Sequence, residues 1–294
     1  MTALLLGSTG QVGLALRGRM PPDMGLIAPT RCELDLSNKY ALAHFLEIHR
    51  PSLMINAAAY TSVDGAEADD ELAKTLNVDI PEILAHYAAR SGARLIHYGT
   101  DYVFDGSGTQ CWREGDKTAP LNTYGKTKLM GERAIMKANA KAIIFRTSWV
   151  YSASGVNFVK TALRLASQNA SIRIVDDQVG APTCADLIAD ISIRAVQDQK
   201  LPGGIYHLAA QGCTSWHGFA SEIIAAARRI QPQRAWAPEG IIPIRSEEFP
   251  TPARRPKNSR LCCDKVDAAL ELRRPPWREN IPGVVAQILE EEYQ

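Results

Sequence analysis

The sequence has almost no net charge and no recognisable cysteine motif. It holds 33 Lys and Arg against 32 Asp and Glu, which gives a formal net charge of +1. Without a surplus of basic residues, neither nucleic acid nor an anionic membrane is indicated as a partner, and small soluble ligands are expected. The six cysteines form no Cys-x-x-Cys pair and have no paired histidine ligands, which predicts reduced thiols and a cytoplasmic protein.

Long hydrophobic runs and repeats are missing as well. No apolar stretch reaches the roughly 20 residues that span a bilayer. The apolar start, MTALLLG, lacks a basic segment and runs straight into glycines, so it is expected to be a strand and not a signal peptide. With 46% hydrophobic and 22% charged residues, the 294-residue chain is of globular composition, long enough for one large α/β domain or two unequal ones.

Short apolar runs alternate with amphipathic stretches through the first half of the chain. This alternation is typical of parallel strands joined by helices. Helices are predicted after Asp35 and Ser37, which are possible caps, and over residues 81–92, which open on proline and close on glycine. The predicted strands are Ala3–Leu6, Gly25–Pro29, Leu53–Asn56, Ala93–Tyr98 and Ala142–Thr147.

Three glycines follow the first predicted strand, in the segment LLLGSTGQVGLALR. Glycine suits this place because the turn is tight and a pyrophosphate must approach backbone N–H groups at a helix N-terminus. Glycines that serve only a turn are the structural alternative, but the position between strand and helix favours a dinucleotide loop. The cofactor contacts predicted here are Gly7, Thr9, Gly10, Gln11, Val12 and Gly13.

The two patterns together predict an α/β fold built on a Rossmann-type doubly wound parallel sheet. After residue 149 the pattern loosens, and prolines crowd residues 241–260. We expect a dinucleotide-binding domain over residues 1–150, with the chain returning to it near 181–212. A smaller, mostly C-terminal α/β substrate domain is expected from residues 151–180 and 213–294.

The end of the second predicted strand bears on the choice of cofactor. An NAD site usually has a carboxylate there for the ribose 2′-hydroxyl, whereas no acid appears after this strand until Glu33. Thr30 and Arg31 suit a 2′-phosphate better, so NADPH is preferred and NADH is possible. Arg31 could instead be an ordinary solvated cation. Asp35 and the adjoining Leu36 are candidate contacts on the adenine side.

Tyr124 and Lys128 stand four residues apart at the head of a predicted helix, in NTYGKTKLMGE. Residues at this spacing share a helix face, with roughly 5–6 Å between their Cβ atoms. A phenol beside an ammonium group ionises more easily. The pair is therefore either catalytic or part of an ordinary solvated helix face.

Seven motifs extend over essentially the whole chain. In this order they resemble the signatures of the dTDP-4-dehydrorhamnose reductase family, within the extended short-chain dehydrogenase/reductase superfamily. The resemblance implies NAD(P)H-dependent reduction of the 4-keto group of dTDP-4-dehydro-L-rhamnose to dTDP-L-rhamnose, the rhamnose donor for cell-surface polysaccharide. The motifs are GSTGQVG, NAAAYTSVDGAE, HYGTDYVFDG, PLNTYGKTKLMGE, RTSWVY, DDQVGAPT and TPARRPKNS.

Ketone reduction gives the pair a role. The carbonyl oxygen gains alkoxide character as hydride arrives, so the site needs a proton donor and further hydrogen bonds at that atom. Tyr124 is expected to supply the proton, and Lys128 to favour the phenolate. The resemblance implies that Lys128 also holds the nicotinamide ribose. Thr100, just beyond a strand at the carboxyl edge, is expected to orient the carbonyl.

Each of the other candidate residues has two alternative interpretations. Ala57, Ala58 and Ala59, after Asn56, either line the cofactor or only pack tightly. Asn77 is a site residue or a helix cap. Predicted substrate contacts are Thr100, Asp101, Tyr102, Trp149 and Arg254; Trp149 is an apolar wall for the sugar or a core residue, and Arg254, like Arg255, meets the diphosphate or a neighbouring carboxylate.

Two departures from the family pattern affect the expectations. Gly99 stands where many relatives have serine, a change expected to be minor because the important hydroxyl is that of Thr100. Some relatives bind magnesium through acidic residues at a dimer interface, one of them shortly after the third glycine. Leu14 and Ala15 occupy that stretch here, so no metal is predicted, and the protein is expected to be a monomer or a homodimer.

Several alternative functions share this fold. A nucleotide-sugar 4,6-dehydratase needs an acid and a base after its threonine, and Tyr102 stands where a glutamate would be expected. Epimerases use the same Tyr/Lys pair but keep their cofactor bound. A reductase of another nucleotide-linked 4-dehydro-6-deoxy sugar remains open, as does a non-catalytic nucleotide-binding regulatory subunit, although such a subunit has no use for Thr100, Tyr124 and Lys128 together.

Overall fold

The computed structural model describes residues 2–139, 141–198 and 201–291. Within these ranges the chain alternates strands and helices in its first half and becomes less regular afterwards. The strands are β1 (Thr2–Leu6), β2 (Gly25–Ile27), β3 (Leu53–Asn56), β4 (Arg94–Thr100), β5 (Ile143–Thr147), β6 (Val150–Tyr151), β7 (Ser171–Val175), β8 (Val179–Gly180), β9 (Thr183–Cys184), β10 (Gly204–His207), β11 (Thr214–Ser215), β12 (Gly240–Ile244) and β13 (Asn258–Ser259). The α-helices are α1 (Gln11–Arg17), α2 (Lys39–His49), α3 (Gly65–Ala68), α4 (Asp70–Lys74), α5 (Ile80–Ser91), α6 (Thr123–Ala138), α7 (Phe158–Gln168), α8 (Ala185–Gln197), α9 (Trp216–Ile230), α10 (Asp264–Leu270) and α11 (Ile281–Glu291).

The central sheet has six strands in the order β10-β5-β4-β3-β1-β2. All its neighbouring strands run parallel, which confirms the predicted Rossmann-type sheet. The strand order reverses at β1, which has β2 on one side and β3 on the other. Ligands of open α/β sheets bind beyond the carboxyl ends of the strands at such a switch point.

Alternate residues of the central strands feed two separate hydrophobic clusters. Leu4 and Leu6 belong to a cluster with residues of α2 and α5. Ala3 and Leu5 belong to the other cluster, which continues into residues of α7, α8, α9 and α11. Both faces of the sheet are therefore covered, as expected for parallel strands that are apolar throughout.

The later part of the chain adds short strands around the central sheet. β7 pairs in parallel with β12, β8 lies between β11 and β13, and β6 pairs with β9. In the stretch 181–212, β10 joins the central sheet beside β5, and α8 packs on α1. The division into two domains, with the chain returning to the first near 181–212, stays a prediction.

The ends of the helices differ in part from expectation. Helix α2 is capped by Asn38, whose Oδ1 accepts from the backbone N–H groups of Tyr40 and Ala41, so the capping by Asp35 or Ser37 was wrong. The Asp35 carboxylate instead accepts from the N–H of Ser37. Helix α5 begins with a proline in its first turn and ends at Gly92 with φ +75°, which confirms the proline-to-glycine prediction.

A π-helical turn, Thr75–Asp79, joins α4 to α5. Asn77 lies in this turn, fully buried, and is not a cap. Its Oδ1 accepts from the N–H of Tyr60 at 2.9 Å, and its Nδ2 donates to Thr127 Oγ1 at 3.1 Å. The side chain therefore fastens the segment after β3 to α6. No helix in the described part of the chain is long and apolar enough to cross a membrane.

Candidate active site

A cleft of about 630 Å³ opens at the carboxyl ends of the central strands. Nearly all of the predicted site residues lie on its walls, although they come from distant parts of the sequence. Those lining it are Gly7, Thr9, Gly10, Gln11, Val12, Arg31, Asp35, Leu36, Ala57, Ala58, Ala59, Thr100, Asp101, Tyr102, Tyr124, Lys128 and Trp149. Gly13 and Arg254 lie elsewhere.

The three loop glycines have different structural reasons. Gly7 has φ +74°, and a Cβ there would lie 2.5 Å from the backbone nitrogen of Ala58. A Cβ on Gly13 would lie 2.0 Å from the carbonyl oxygen of Gly7, so Gly13 allows α1 to pack against the loop. A Cβ on Gly10 would meet only the Gly7 oxygen, at 3.4 Å. The fold would therefore tolerate a Cβ at Gly10, and Gly10 lines the cleft.

This loop fits a dinucleotide. Gly10 is the N-cap of α1 and has no side chain that could accept from the first N–H groups of the helix. Gln11 is tied to the segment after β6, since its Oε1 accepts from Ser152 Oγ at 3.1 Å and from Asn157 Nδ2 at 3.0 Å. An open helix N-terminus beside bare backbone is the donor set that a pyrophosphate needs.

The far end of the cleft lies against the turn after β2. Thr30, Arg31, Asp35 and Leu36 line it. The Glu33 carboxylate folds back onto Thr30, where Oε2 accepts from the backbone N–H at 2.7 Å and from the hydroxyl at 2.9 Å. An acid is therefore close to the end of β2 after all, which counting along the sequence did not indicate.

A buried polar chain lies beneath the cleft floor. Asn56 is fully buried; its Oδ1 accepts from the N–H of Ala58 at 3.2 Å, and its Nδ2 lies 3.1 Å from Nδ1 of His97. Nε2 of His97 lies 3.5 Å from Nζ of Lys128. Burial and the nearby ammonium hold the pKa of His97 well below its ordinary value, so this histidine is neutral. Asn56 therefore holds the backbone of residues 57–59 through its hydrogen bond from Ala58, and the three alanines line the cleft.

Tyr124 and Lys128 stand one turn apart on α6 and both face the cleft. Burial raises the pKa of Tyr124 to about 12, although hydrogen bonding to Thr100 opposes the rise. Burial lowers the pKa of Lys128 to about 8. The ammonium donates to the carbonyl oxygen of Tyr98 at 2.6 Å. In this structure the dominant influence on the Tyr124 phenol is therefore desolvation, not the lysine charge.

Thr100 and Asp101 lie directly beneath the two tyrosines of the site. Thr100 Oγ1 accepts from the N–H of Tyr102 at 3.2 Å and lies at the same distance from Asp101 Oδ1, to which it can donate. The ring of Tyr102 stands edge-on to that of Tyr124, with centroids 5.5 Å apart. Burial raises the pKa of Asp101 to about 7, although hydrogen bonding to Ser259 and Thr100 opposes the rise. Asp101 is therefore a buried carboxyl group among the residues that line the cleft beside Thr100.

An ion pair, missed in the sequence, lies behind Lys128. Glu132, one further turn along α6, is buried and accepts from Arg146 Nη2 at 2.8 Å and from its Nε at 3.0 Å. Gly99 leaves room for it, since a Cβ there would lie 2.3 Å from Glu132 Oε1. In the sequence, the only indication of this ion pair was that Glu132 lies four residues after Lys128 and eight residues after Tyr124. The glycine at position 99, where many relatives have serine, therefore leaves the space that the Glu132 side chain occupies in this protein.

Trp149 lines the cleft together with Trp216, which sequence reasoning also missed. The two indoles are stacked, with centroids 3.7 Å apart, and both line the cleft. Trp216 Nε1 donates to Gln178 Oε1 at 3.2 Å. Since 67 residues separate the two tryptophans, no local pattern could have joined them.

Arg254 lines a second cleft, of about 450 Å³. Its backbone oxygen accepts from Nδ2 of Asn122, the N-cap of α6. Gln178 lines this second cleft and also holds Trp216 of the first, so the two clefts are neighbours. Arg255 also lines this second cleft, and it pairs with Asp64 at 2.7 Å.

Comparisons with known proteins point in one direction. The family model described as RmlD substrate binding domain matches residues 1–290. The dTDP-4-dehydrorhamnose reductase of Shigella flexneri is 42% identical over 295 residues, 98% of each chain. The crystal structure of a dTDP-4-dehydrorhamnose reductase from Clostridium acetobutylicum superposes with a TM-score of 0.90, at 32% identity, over 98% of this chain and 100% of that one. The same enzyme from Bacillus anthracis, solved in complex with NADP, gives 0.89 at 30% identity, over 97% and 99%.

Proposed function

Because the chain belongs to the family of the RmlD substrate binding domain, and resembles dTDP-4-dehydrorhamnose reductases over nearly its full length, we propose that it reduces dTDP-4-dehydro-L-rhamnose to dTDP-L-rhamnose. The reductant is a nicotinamide dinucleotide. The observation that carries the proposal is that Tyr124, Lys128 and Thr100 line the same cleft as the glycine loop.

The nicotinamide cofactor supplies the hydride. Gly7, Gly10 and the first turn of α1 hold its pyrophosphate, and Ala57, Ala58 and Ala59 give it a flat wall. Asp35 and Leu36 adjoin the adenine. Lys128 holds the nicotinamide ribose with the donors left over after its bond to Tyr98, a bond that fixes the direction of the ammonium.

Tyr124 gives the proton to the nascent alkoxide. With its pKa raised to about 12 the phenol is protonated at neutral pH, so the proton is present when the alkoxide forms, although burial makes the phenol a weaker acid. Thr100 orients the carbonyl through its hydroxyl, whose own position is fixed by the N–H of Tyr102. The ammonium of Lys128 then offsets the charge of the phenolate.

The sugar lies against Trp149, with Asp101 and Tyr102 on the side of Thr100. Arg254 meets the nucleotide diphosphate from the neighbouring cleft, which is supported by its exposed side chain and by Gln178, which lines that cleft and accepts a hydrogen bond from Trp216 of the first. The preferred cofactor is NADPH, with NADH possible, and Arg31 at the end of the cleft supports this order. The oligomeric state, monomer or homodimer, and the cytoplasmic location stay predictions.

The test is a spectrophotometric assay of NADPH and NADH oxidation. The dTDP-linked 4-dehydro-L-rhamnose is compared with its UDP counterpart and with other dTDP-linked 4-dehydro-6-deoxy sugars, and the product is identified by NMR. Turnover highest with the first substrate supports the proposal. Preference for another sugar would assign the protein to a sister reductase, and nucleotide binding without turnover would indicate a regulatory subunit.

A further inference from the structure

The turn after β2 presents two hydrogen-bond donors to one carboxylate. Thr30 lines the cleft, and both its N–H and its hydroxyl donate to Oε2 of Glu33, at 2.7 and 2.9 Å. The turn is closed in the other direction as well, because the N–H groups of Glu33 and Leu34 donate to the carbonyl oxygen of Thr30 at 3.1 and 3.0 Å. The contact is therefore a complete local arrangement and not a loose surface encounter.

A carboxylate and a phosphate compete for the same kind of donors. Backbone N–H and hydroxyl groups at the end of the second strand are placed to meet a 2′-phosphate or a ribose 2′-hydroxyl. The hydrogen bonds from Thr30 hold the pKa of Glu33 below its ordinary value, so the group is charged at neutral pH. A 2′-phosphate at this end of the cleft would thus meet the cation of Arg31, which lines the cleft, and would find the Thr30 donors held by the Glu33 anion, which lies just behind the lining residues.

We propose that Glu33 is a specificity-determining residue that reduces the preference of this protein for NADPH over NADH. Its carboxylate occupies the two donors of Thr30 and opposes the 2′-phosphate, whereas Arg31 attracts it. NADH carries no phosphate there and meets no opposition. The inference rests on the proposed function, because it concerns the cofactor that this function requires.

The experiment measures dissociation constants for NADPH and NADH by fluorescence titration, without sugar substrate. Glu33→Gln keeps an oxygen acceptor for Thr30 and removes the charge. It is expected to bind NADPH roughly three- to tenfold more tightly, with little change for NADH, the size expected for one exposed charge contact. Arg31→Ala is expected to do the reverse and weaken NADPH alone.

Asp116→Asn is the matched control. Asp116 accepts from the N–H of Arg113, three residues earlier, at 2.7 Å, on an exposed turn that does not line the cleft. Asp116→Asn therefore loses the same kind of contact and the same charge as Glu33→Gln. The ratio of its dissociation constants for NADPH and NADH should equal that of the wild type.

Glu33→Asp separates the charge from the shape of the turn, since it keeps the carboxylate on a shorter side chain. The ratio of its dissociation constants for NADPH and NADH is expected to stay close to that of the wild type. A shift in this ratio as large as that of Glu33→Gln would overturn the inference. If the wild type binds both dinucleotides, the inference would also be overturned by a Glu33→Gln variant with an unchanged ratio of the two dissociation constants, or by one that binds NADPH more weakly. A wild type that binds neither dinucleotide would overturn the proposed function, and the inference with it.

Discussion

The indole of Trp149 lies flat on that of Trp216, with 9° between the ring planes. Trp149 has φ +49°, a left-handed conformation that is unfavourable for a bulky residue. Gly180 makes room for it, since a Cβ there would lie 2.8 Å from Trp149 Cε2. The stacking on Trp216 and the space at Gly180 therefore hold a strained tryptophan in the cleft wall.

Trp216→Leu is expected to release Trp149 while leaving the glycine loop intact. The KM for the sugar nucleotide should rise about three- to tenfold, the size of one lost aromatic stack, whereas the dissociation constant for NADPH should not change. Near-ultraviolet circular dichroism should lose the signal of the stacked pair. Trp112→Phe is the control, because Trp112 stacks on Phe104 and does not line the cleft. An unchanged KM in Trp216→Leu would show that Trp149 does not depend on its partner.

Gly10→Ala and Gly13→Ala should fail in different ways. The Cβ at position 13 would lie 2.0 Å from the Gly7 oxygen, so this variant should melt several degrees lower. The Cβ at position 10 has space in the folded protein, so its melting temperature should stay near that of the wild type while dinucleotide binding falls sharply. Calorimetric titration and thermal melts separate the two. Equal melting temperatures for both variants would contradict this division of roles.

The sequence was informative wherever the constraint is local. Buried runs such as Leu53–Asn56 must be strands because they are apolar on both faces. Gly7 is needed for a left-handed φ, and Tyr124 and Lys128 share a helix face because of their spacing. In each case neighbours within one element determine the outcome.

Long-range and near-isoenergetic choices could not be predicted in this way. Trp216 reaches Trp149, and Arg146 reaches Glu132, only through the packing of separate elements. The α2 cap went to Asn38 instead of Asp35 or Ser37, since all three side chains can cap a helix with similar free energies. Glu33 was considered too far along the sequence from the end of β2, but the turn brings its carboxylate back to the N–H of Thr30.

Lys128 should give the stability of the protein a distinctive pH dependence. Burial lowers its pKa from about 10.5 to about 8, so between these values the unfolded chain binds a proton that the folded protein does not. Stability contributed by this group therefore rises with pH across this window. The free energy of unfolding of Lys128→Met, measured relative to that of the wild type, should therefore fall by on the order of 3 kcal/mol between pH 7 and pH 10.5. Urea unfolding at both pH values tests it, and a gap independent of pH would show that Lys128 is not desolvated.

The buried pair of Glu132 and Arg146 should stabilise the fold beneath the site. Arg146→Met leaves a carboxylate buried without a partner, which should reduce the free energy of unfolding by about 3–5 kcal/mol. Changing both residues to methionine should recover most of the loss. The control is Arg278→Met, which cuts an exposed pair with Glu222 and should cost at most about 1 kcal/mol. Similar losses in Arg146→Met and Arg278→Met, measured in urea, would contradict the importance of burial.

Tyr124→Phe tests the chemical step itself. It removes one hydroxyl, so the fold and the dissociation constant for NADPH should survive, while kcat should fall about 10²–10⁴-fold, the usual contribution of a general acid. Thr100→Val also deletes one hydroxyl and should cost less, because the proton donor remains. Circular dichroism must first show that both variants are folded. Turnover in Tyr124→Phe equal to that of the wild type would mean that the proton comes from another group, and the buried Asp101, whose pKa is about 7, would be the next residue to replace, as Asp101→Asn.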